Sequence, residues 1–251
     1  MPCFLEFFMQ FPLVFSFGSF SLPAHFIFEF LAYALGMRIY LRTRRKTRLN
    51  LEQTLWILAG AICGAALGSK VLYWFEDPVT LIQRNTLECW LQGKTIVGGL
   101  LGGLIGVEGV KRHIGYTDST GDDLVFPILC GMMLGRIGCF SSGLADHTHG
   151  IETTLGWGVN FGDGIYRHPT QLYEILFLLG LLCFLKLRKK WPFEDGQIFQ
   201  FFMISYLAYR FLSEFIKPGV KFYYGFNAIQ LACIAGLIYY RKSILLLFSR
   251  K

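Results

Sequence analysis

The sequence is short of charged residues and lacks the cysteine patterns of small secreted domains. Only 16% of its 251 residues are Asp, Glu, Lys or Arg, whereas soluble domains contain roughly 25%. No two of the seven cysteines have CxxC spacing, so the sequence predicts neither a disulfide framework nor a metal centre. No small-residue cleavage site follows the aromatic first twenty residues, so we expect no signal peptide. With 53% apolar residues, the composition instead indicates a polytopic membrane protein.

The positive charge is concentrated in alternate connections between the apolar runs. The formal net charge of +7 does not predict a nucleic-acid partner, because short basic clusters beside apolar runs are typical topology signals. The richer set of connections carries Arg42, Arg44, Arg45, Lys46, Arg48, Lys111, Arg112, Lys186, Arg188, Lys189, Lys190, Arg241, Lys242, Arg250 and Lys251, and the poorer set carries Arg84, Lys94, Arg167, Lys217 and Lys221. The positive-inside rule places the richer set in the cytoplasm, with the N-terminus outside and the C-terminus inside.

Seven apolar runs approach the length of about 20 residues that crosses a bilayer. The predicted spans are residues 22–41, 53–76, 95–110, 123–144, 169–187, 197–216 and 224–241. They predict an all-α polytopic membrane protein with about seven transmembrane helices and a small extracytoplasmic loop region at 145–168. Residues 1–21 are predicted to form an interfacial segment, residues 22–244 the transmembrane domain and residues 245–251 a basic cytoplasmic tail.

Glycine recurs at every fourth position in the second and third predicted spans. The residues are Gly60, Gly64 and Gly68 in the second span, and Gly98, Gly102 and Gly106 in the third. Small residues at this spacing let helix backbones approach closely in lipid. We therefore predict that these glycines pack the two helices together.

An arginine interrupts the apolar run from Leu124 to Leu144. Inserting Arg136 into a membrane costs at least about 2.5 kcal/mol, so such a residue usually marks a function. At about 1.5 Å per residue, three cations and three carboxylates fall at a similar depth near the outer face. They are Glu29, Lys70, Arg136, Glu174, Arg210 and Glu214. This layer predicts either a structural salt-bridge network or a polar cavity, in which two arginines would suit a lipid phosphate.

Five strings resemble segments of the prolipoprotein diacylglyceryl transferases of the bacterial inner membrane. GRIGCF at 135–140 is similar to the family's G-R-x-G-N-F, and HPTQLYE at 168–174 to its H-P-[ST]-Q-L-Y-E. RFLSEF at 210–215 resembles R-F-x-x-E-F, and VGGL at 97–100 resembles H-G-G-L. Residues 64–73 resemble the glycine-rich second helix, with a lysine where an arginine is usual. The strings occur in the family's order over most of the chain.

The resemblance implies an enzyme that moves the diacylglyceryl group of phosphatidylglycerol to the thiol of a lipobox cysteine, with release of glycerol phosphate. The implied partners are phosphatidylglycerol, prolipoprotein signal peptides with a lipobox cysteine, and membrane lipids, with no cofactor or metal. By the same resemblance Arg136 and Arg210 hold and stabilise the phosphate, and Glu174 and Glu214 orient them. The other implied substrate-binding residues are Lys70, Gly98, Gly99, Cys139, Gly150, His168, Gln171 and Tyr173.

The chain departs from the family at residues that would carry proton transfer. Val97 occupies the family's histidine position, Glu29 aligns with a family tyrosine, and Cys139 replaces an asparagine. We therefore predict His147 or Glu29 as the general base, with His149 as a further candidate. The alternative for each loop histidine is an exposed residue without a catalytic role, and Cys139 is either a packing residue or a catalytic one.

The loss of that histidine keeps two other functions open. One is an enzyme that moves a lipid-derived group to another acceptor, and the other is a non-enzymatic phospholipid-binding membrane protein. The two arginines and the string at 168–174 favour an enzyme. The run 157–164 is rich in glycine and aromatic residues, which predicts an ordered loop with tight turns at the membrane interface.

Overall fold

The computed structural model describes residues 11–18, 20–44, 49–84, 86–87, 90, 93–187 and 194–249. Over these residues the chain is mostly helical. The α-helices of the described residues are α1 Ala24–Thr43, α2 Leu51–Trp74, α3 Pro78–Arg84, α4 Ile96–His113, α5 Asp122–Ser142, α6 Thr170–Leu187, α7 Gln197–Ser213, α8 Ala228–Tyr239 and α9 Arg241–Ser249. Short 3-10 turns follow α5 at Gly143–Asp146 and α7 at Glu214–Ile216, and two small hairpins pair β1 Val14–Phe17 with β2 Phe20–Pro23 and β3 Val159–Asn160 with β4 Tyr166–Arg167.

A helix of the described residues overlaps each of the seven predicted spans. Four helices, α1, α2, α5 and α6, are long and apolar enough to cross a membrane, and α8 is a shorter apolar helix. The helix of the last span begins at Ala228, four residues after the approximate start predicted for that span. The Asn227 side chain accepts the Gln230 N–H at 2.8 Å, and the Gln230 amide oxygen accepts the Asn227 N–H at 3.1 Å. This capping box fixes the start of α8 at Ala228.

Parts of some predictions lie outside the described residues. The predicted interfacial segment is described only from residue 11, where the first hairpin occupies residues that the sequence assigned to no strand. The basic clusters at 45–48 and 188–190, and the last two residues of the predicted tail, also lie outside the described residues.

The described chain forms two compact units, and the first contains α1, α5, α6 and the segment between α5 and α6. Both α1 and α6 pack against α5. Phe11, Phe140 and Phe161 meet edge to face, with ring centroids 5.2–5.8 Å apart. This aromatic cluster joins the C-terminal end of α5 to the β3–β4 hairpin, because Phe161 directly follows β3.

The second unit contains α2, α4, α8 and α7 from residue 200 onward. The glycine prediction is confirmed here: α2 and α4 pack backbone to backbone, with Gly60 beside Gly106, Gly64 beside Gly102 and Gly68 beside Gly98. A Cβ atom added at any of these six residues would overlap a backbone atom of the other helix. The close approach gains dispersion contacts that larger residues would prevent.

Candidate active site

A buried ion pair joins α5 to α6 in the first unit. The Arg136 Nη2 lies 2.9 Å from the Glu174 Oε2, and only 6% and 2% of the two side chains are exposed. The Arg136 Nη1 also lies 3.8 Å from the Cys139 Sγ, one turn further along α5. Glu174 therefore holds one side of the guanidinium fork in a fixed direction, as the resemblance implies.

The start of α6 is fixed by the segment that precedes it. The Thr170 hydroxyl donates a hydrogen bond to the Thr148 carbonyl oxygen. The His168 N–H donates to the Ile151 carbonyl at 3.0 Å, and the Gly150 N–H donates to the His168 carbonyl at 2.8 Å. A side chain at Gly150 would overlap His168, so glycine at this position serves close packing. Together these bonds set the register of α6 and hence the position of Glu174.

Three other predicted substrate-binding residues lie at the same end of α6. The Trp157 Nε1–H donates to the Tyr173 hydroxyl at 2.9 Å, and His168 Nδ1 lies 3.0 Å from the same hydroxyl. These contacts hold the segment between α5 and α6 against the start of α6. Gln171 is only 1% exposed, yet neither its amide nitrogen nor its amide oxygen has a hydrogen-bond partner within the described part of the chain. A buried polar side chain in this state is costly and calls for a ligand or a functional reason.

The prediction of an ordered loop with tight turns is confirmed for 157–164, which contributes to a hairpin, and its place at the membrane interface stays a prediction. The Asn160 side-chain oxygen accepts the N–H groups of Gly162 and Gly164 at 2.9 and 3.0 Å. Asp163 and Arg167 form an ion pair at 2.7 Å. The hydrogen bond from Arg167 lowers the pKa of Asp163 to about 2, and the same pairing raises the pKa of Arg167.

His25, which the sequence did not single out, lies beside Cys139 and Asp146. One donor atom from each of these three side chains lies within 4.8 Å of the others. The His25 Nδ1 is 3.9 Å from the Asp146 Oδ1, and its Nε2 is 3.7 Å from the Glu29 Oε2. The residues come from α1, α5 and the 3-10 turn after α5, so no short spacing in the sequence could have revealed the cluster.

The predicted general bases lie in different settings. Glu29 faces His25 and accepts a hydrogen bond from the Tyr33 hydroxyl at 3.2 Å. His147 is exposed, with a positive φ of 52°. The His149 Nδ1 lies 3.1 Å from the carbonyl oxygen of Gly150. Glu29 therefore faces a member of the His25 cluster, and His147 directly follows another, Asp146.

The second unit has its own buried arginine centre. Arg210 forms an ion pair with Glu214, one turn further along the chain. The Asn227 Nδ2 donates to the Glu214 Oε2 at 2.9 Å, so the residue that caps α8 also holds this carboxylate. Sequence reasoning missed Asn227, although an asparagine followed three residues later by glutamine resembles a capping box.

Three other predicted site residues lie near the start of α4 in the second unit. Lys70 Nζ donates to the Gly93 carbonyl oxygen at 2.9 Å. Gly98 contacts the α2 backbone, so packing alone requires a glycine there, whereas a Cβ at Gly99 would meet only ordinary contacts. Val97 is 1% exposed and carries no group for proton transfer.

The sequence matches known proteins over most of its length. The family model described as prolipoprotein diacylglyceryl transferase matches residues 12–247. A phosphatidylglycerol–prolipoprotein diacylglyceryl transferase of Pseudoalteromonas atlantica is 30% identical, over 82% of this chain and 75% of its own length. Proteins of the same name from Polynucleobacter asymbioticus and Actinobacillus pleuropneumoniae serotype 3 are each 31% identical, over 84% of both chains. The chain belongs to the prolipoprotein diacylglyceryl transferase family of membrane enzymes.

Proposed function

We propose that this protein transfers the diacylglyceryl group of phosphatidylglycerol to the thiol of a lipobox cysteine in prolipoproteins. Its family and the names of its relatives support this reaction. The acceptor thiol gives its proton to a base, and its sulfur attacks the glycerol carbon that carries the phosphate. The C–O bond breaks, its electron pair stays on the phosphate oxygen, and glycerol phosphate departs. This would be the first step of lipoprotein maturation.

The buried Arg136–Glu174 ion pair is the observation that carries the proposal. A guanidinium inside a membrane-spanning helix is costly, and here its direction is fixed by a carboxylate from a second helix. The guanidinium fork of Arg136 suits the phosphate oxygens, which gain negative charge as the C–O bond breaks. Stabilising that charge lowers the barrier of the transfer. Arg210, held by Glu214 in the second unit, is proposed to be required as well.

We propose that all seven predicted spans cross the bacterial inner membrane. The N-terminus is then outside, the basic connections and the C-terminus are cytoplasmic, and the segment between α5 and α6 is extracytoplasmic. Phosphatidylglycerol would reach the Arg136 centre from the lipid phase. The signal peptide would approach from the outside, where the β3–β4 hairpin lies in this topology.

One observation favours a second candidate. Because the buried Val97 cannot take a proton, a relative that moves a lipid-derived group to a different acceptor stays under consideration. The third candidate is a phospholipid-binding membrane protein without transfer activity. All three functions need the headgroup to bind, but only the first produces a lipidated lipobox peptide.

Transfer of radiolabelled glycerol from phosphatidylglycerol to a synthetic lipobox peptide tests the proposal. Purified wild-type protein is compared with Arg136→Ala, Arg210→Ala and the control Arg112→Ala, which changes an exposed arginine at the end of α4. We expect Arg112→Ala to keep wild-type activity. Loss of one charge-stabilising contact typically lowers the rate by about 100- to 1,000-fold, and we expect at least this for each buried arginine.

Two outcomes would count against the proposal. If wild type binds phosphatidylglycerol but lipidates no peptide, the acceptor or the activity is different. If transfer proceeds equally well in Arg136→Ala, the arginine is structural and the phosphate is stabilised elsewhere.

A further inference from the structure

We propose that His25, Cys139 and Asp146 bind a zinc ion whose fourth position receives the acceptor thiol. The zinc site rests on the geometry of these three residues, and its role in holding the acceptor rests on the function proposed above. A bound zinc would supply the thiolate in a chain whose usual histidine position is occupied by Val97.

The donor set is the first argument for zinc. An imidazole nitrogen, a thiol sulfur and a carboxylate oxygen are the three kinds of protein ligand that zinc takes. Their donor atoms lie within 4.8 Å of one another. Ligand atoms around a tetrahedral zinc are roughly 3.6 Å apart. The three side chains therefore need to approach one another by only about 1 Å, which rotation of side chains can supply.

The second argument is that the His25 Nδ1 is buried without a hydrogen bond among the described residues. An orphaned nitrogen of this kind calls for an explanation, and a missing ion is one of the few available. The nearest carboxylate oxygen, Asp146 Oδ1, is 3.9 Å away, which is too far for a hydrogen bond but suits two ligands of one ion. The Nδ1 atom is therefore the ligand atom in our proposal.

Each of the three ligands also has an outer partner of the kind that metal sites use. The His25 Nε2 faces the Glu29 Oε2 at 3.7 Å, and Glu29 is itself held by Tyr33. The Thr148 hydroxyl donates to the Asp146 Oδ2 at 2.6 Å, which leaves Oδ1 for the ion. The Arg136 Nη1 lies 3.8 Å from the Cys139 Sγ. Such contacts orient ligands and tune their basicity.

The neighbouring guanidinium does not exclude a cation. Arg136 is already paired with Glu174 at 2.9 Å, and the thiolate of Cys139 and the carboxylate of Asp146 would offset the charge of the ion. The arrangement would also bring the acceptor thiol close to the departing phosphate. The acceptor thiol would be bound at the ion, and the departing phosphate at Arg136, with Cys139 between them.

Three protein ligands leave one position open, as in catalytic rather than structural zinc sites. The acceptor thiol would displace a water from this position and lose its proton to solvent, because a thiol that coordinates zinc is deprotonated. The thiolate sulfur then forms the C–S bond while the C–O bond to phosphate breaks. The electron pair of that bond leaves with the phosphate, so no oxidant or reductant is involved. The resulting thioether is a weaker ligand and departs.

Cobalt provides a direct test of the site. Protein treated with a chelator and then loaded with Co²⁺ should show one thiolate-to-cobalt charge-transfer band with one equivalent bound. Cys130→Ala, in the same helix, is the matched control and should bind the ion like wild type. We expect Cys139→Ala to lose the band and to bind zinc more than about 100-fold more weakly, and Glu29→Gln to weaken binding by about 10- to 100-fold. Thermal melting of each variant shows whether it is folded.

The role of the open position has a separate test. A lipobox peptide should strengthen the charge-transfer band by adding a second thiolate, and the same peptide with serine in place of cysteine should not. Equal zinc affinity in wild type and Cys139→Ala would overturn the site. Full transfer activity in chelator-treated, metal-free protein would overturn its role while leaving the proposed function intact. Zinc binding with a peptide-dependent band but no transfer would instead overturn the proposed function.

Discussion

The Arg136 guanidinium and the Glu174 carboxylate meet at 2.9 Å, with both side chains almost fully buried. The pair joins two helices that are long and apolar enough to cross a membrane. Removing one member of a buried ion pair destabilises a protein by about 3–5 kcal/mol, whereas replacing both members with apolar residues is often neutral. Stability and activity should therefore respond differently to single and double substitutions.

Glu174→Gln is expected to lower both thermal stability and transfer activity, because it removes the carboxylate that holds Arg136. The double variant Arg136→Met/Glu174→Leu is expected to recover most of the stability and to remain inactive. Thermal melting in detergent and the radiolabel assay measure the two properties. An active double variant would show that the pair serves only to hold the helices together.

Asn227 has two roles that substitution can separate. Asn227→Ala removes both the N-cap of α8 and the hydrogen bond to Glu214, whereas Asn227→Ser keeps a capping hydroxyl. We expect the alanine variant to be less stable by about 1 kcal/mol and both variants to lose activity. Asn50→Ala, which removes the capping box of α2, is the control. It should lose similar stability but keep its activity per folded molecule.

The glycines between α2 and α4 should tolerate no side chain. Gly64→Ala places a methyl group against the Gly102 carbonyl, so the helices must separate and the melting temperature should fall by several degrees. Gly109→Ala changes a glycine of the partner helix α4 at which an added Cβ would meet only open space. It should be neutral or stabilising by up to about 1 kcal/mol, because alanine is the better helix former. Equal melting temperatures for the two variants would contradict the backbone packing.

The buried amide of Gln171 is expected to lower the stability of the protein and to serve its activity. Replacing its buried amide with the apolar side chain of similar length in Gln171→Met removes two unsatisfied polar atoms, so the melting temperature should stay constant or rise. Transfer activity should fall, because the amide is proposed to contact the substrate. A variant that is both fully active and more stable would leave Gln171 without a substrate role.

The hairpin should be insensitive to mildly acidic pH. The folded pKa of Asp163, about 2, lies below its ordinary value of 3.8. Its contribution to stability is therefore fully present above a pH of about 4 and is lost only as the pH falls through about 2. Hydrogen exchange of residues 159–167, corrected for intrinsic rates, should be constant between pH values of about 7 and 4. Asp163→Asn should exchange faster throughout, and a wild-type change between pH values of about 6 and 5 would contradict the pairing.

The helices could be predicted because apolar runs and basic clusters are local features of the sequence. The burial of Arg136 followed from its position in such a run. The family resemblance implied that Glu174 and Glu214 orient the two arginines, and the structure shows that Glu174 pairs with Arg136. The shared charged layer stays a prediction. The role of His25 could not be predicted, since the other two members of its cluster, Cys139 and Asp146, lie more than a hundred residues away in the sequence. Asn227 could have been predicted, because the capping pattern that it forms with Gln230 is local in the sequence.

The segment between α5 and α6 is closed by hydrogen bonds between its own two ends. Residues 150–153 pair with residues 166–168 through backbone hydrogen bonds, so the chain entering this segment lies beside the chain leaving it. Trp157 and Phe161 contact the two helices, whereas residues 154–156 and 162–165 are exposed. These exposed positions can differ between relatives without displacing Arg136 or Glu174, and new acceptor peptides could be accommodated there while the chemistry of the phosphate is preserved.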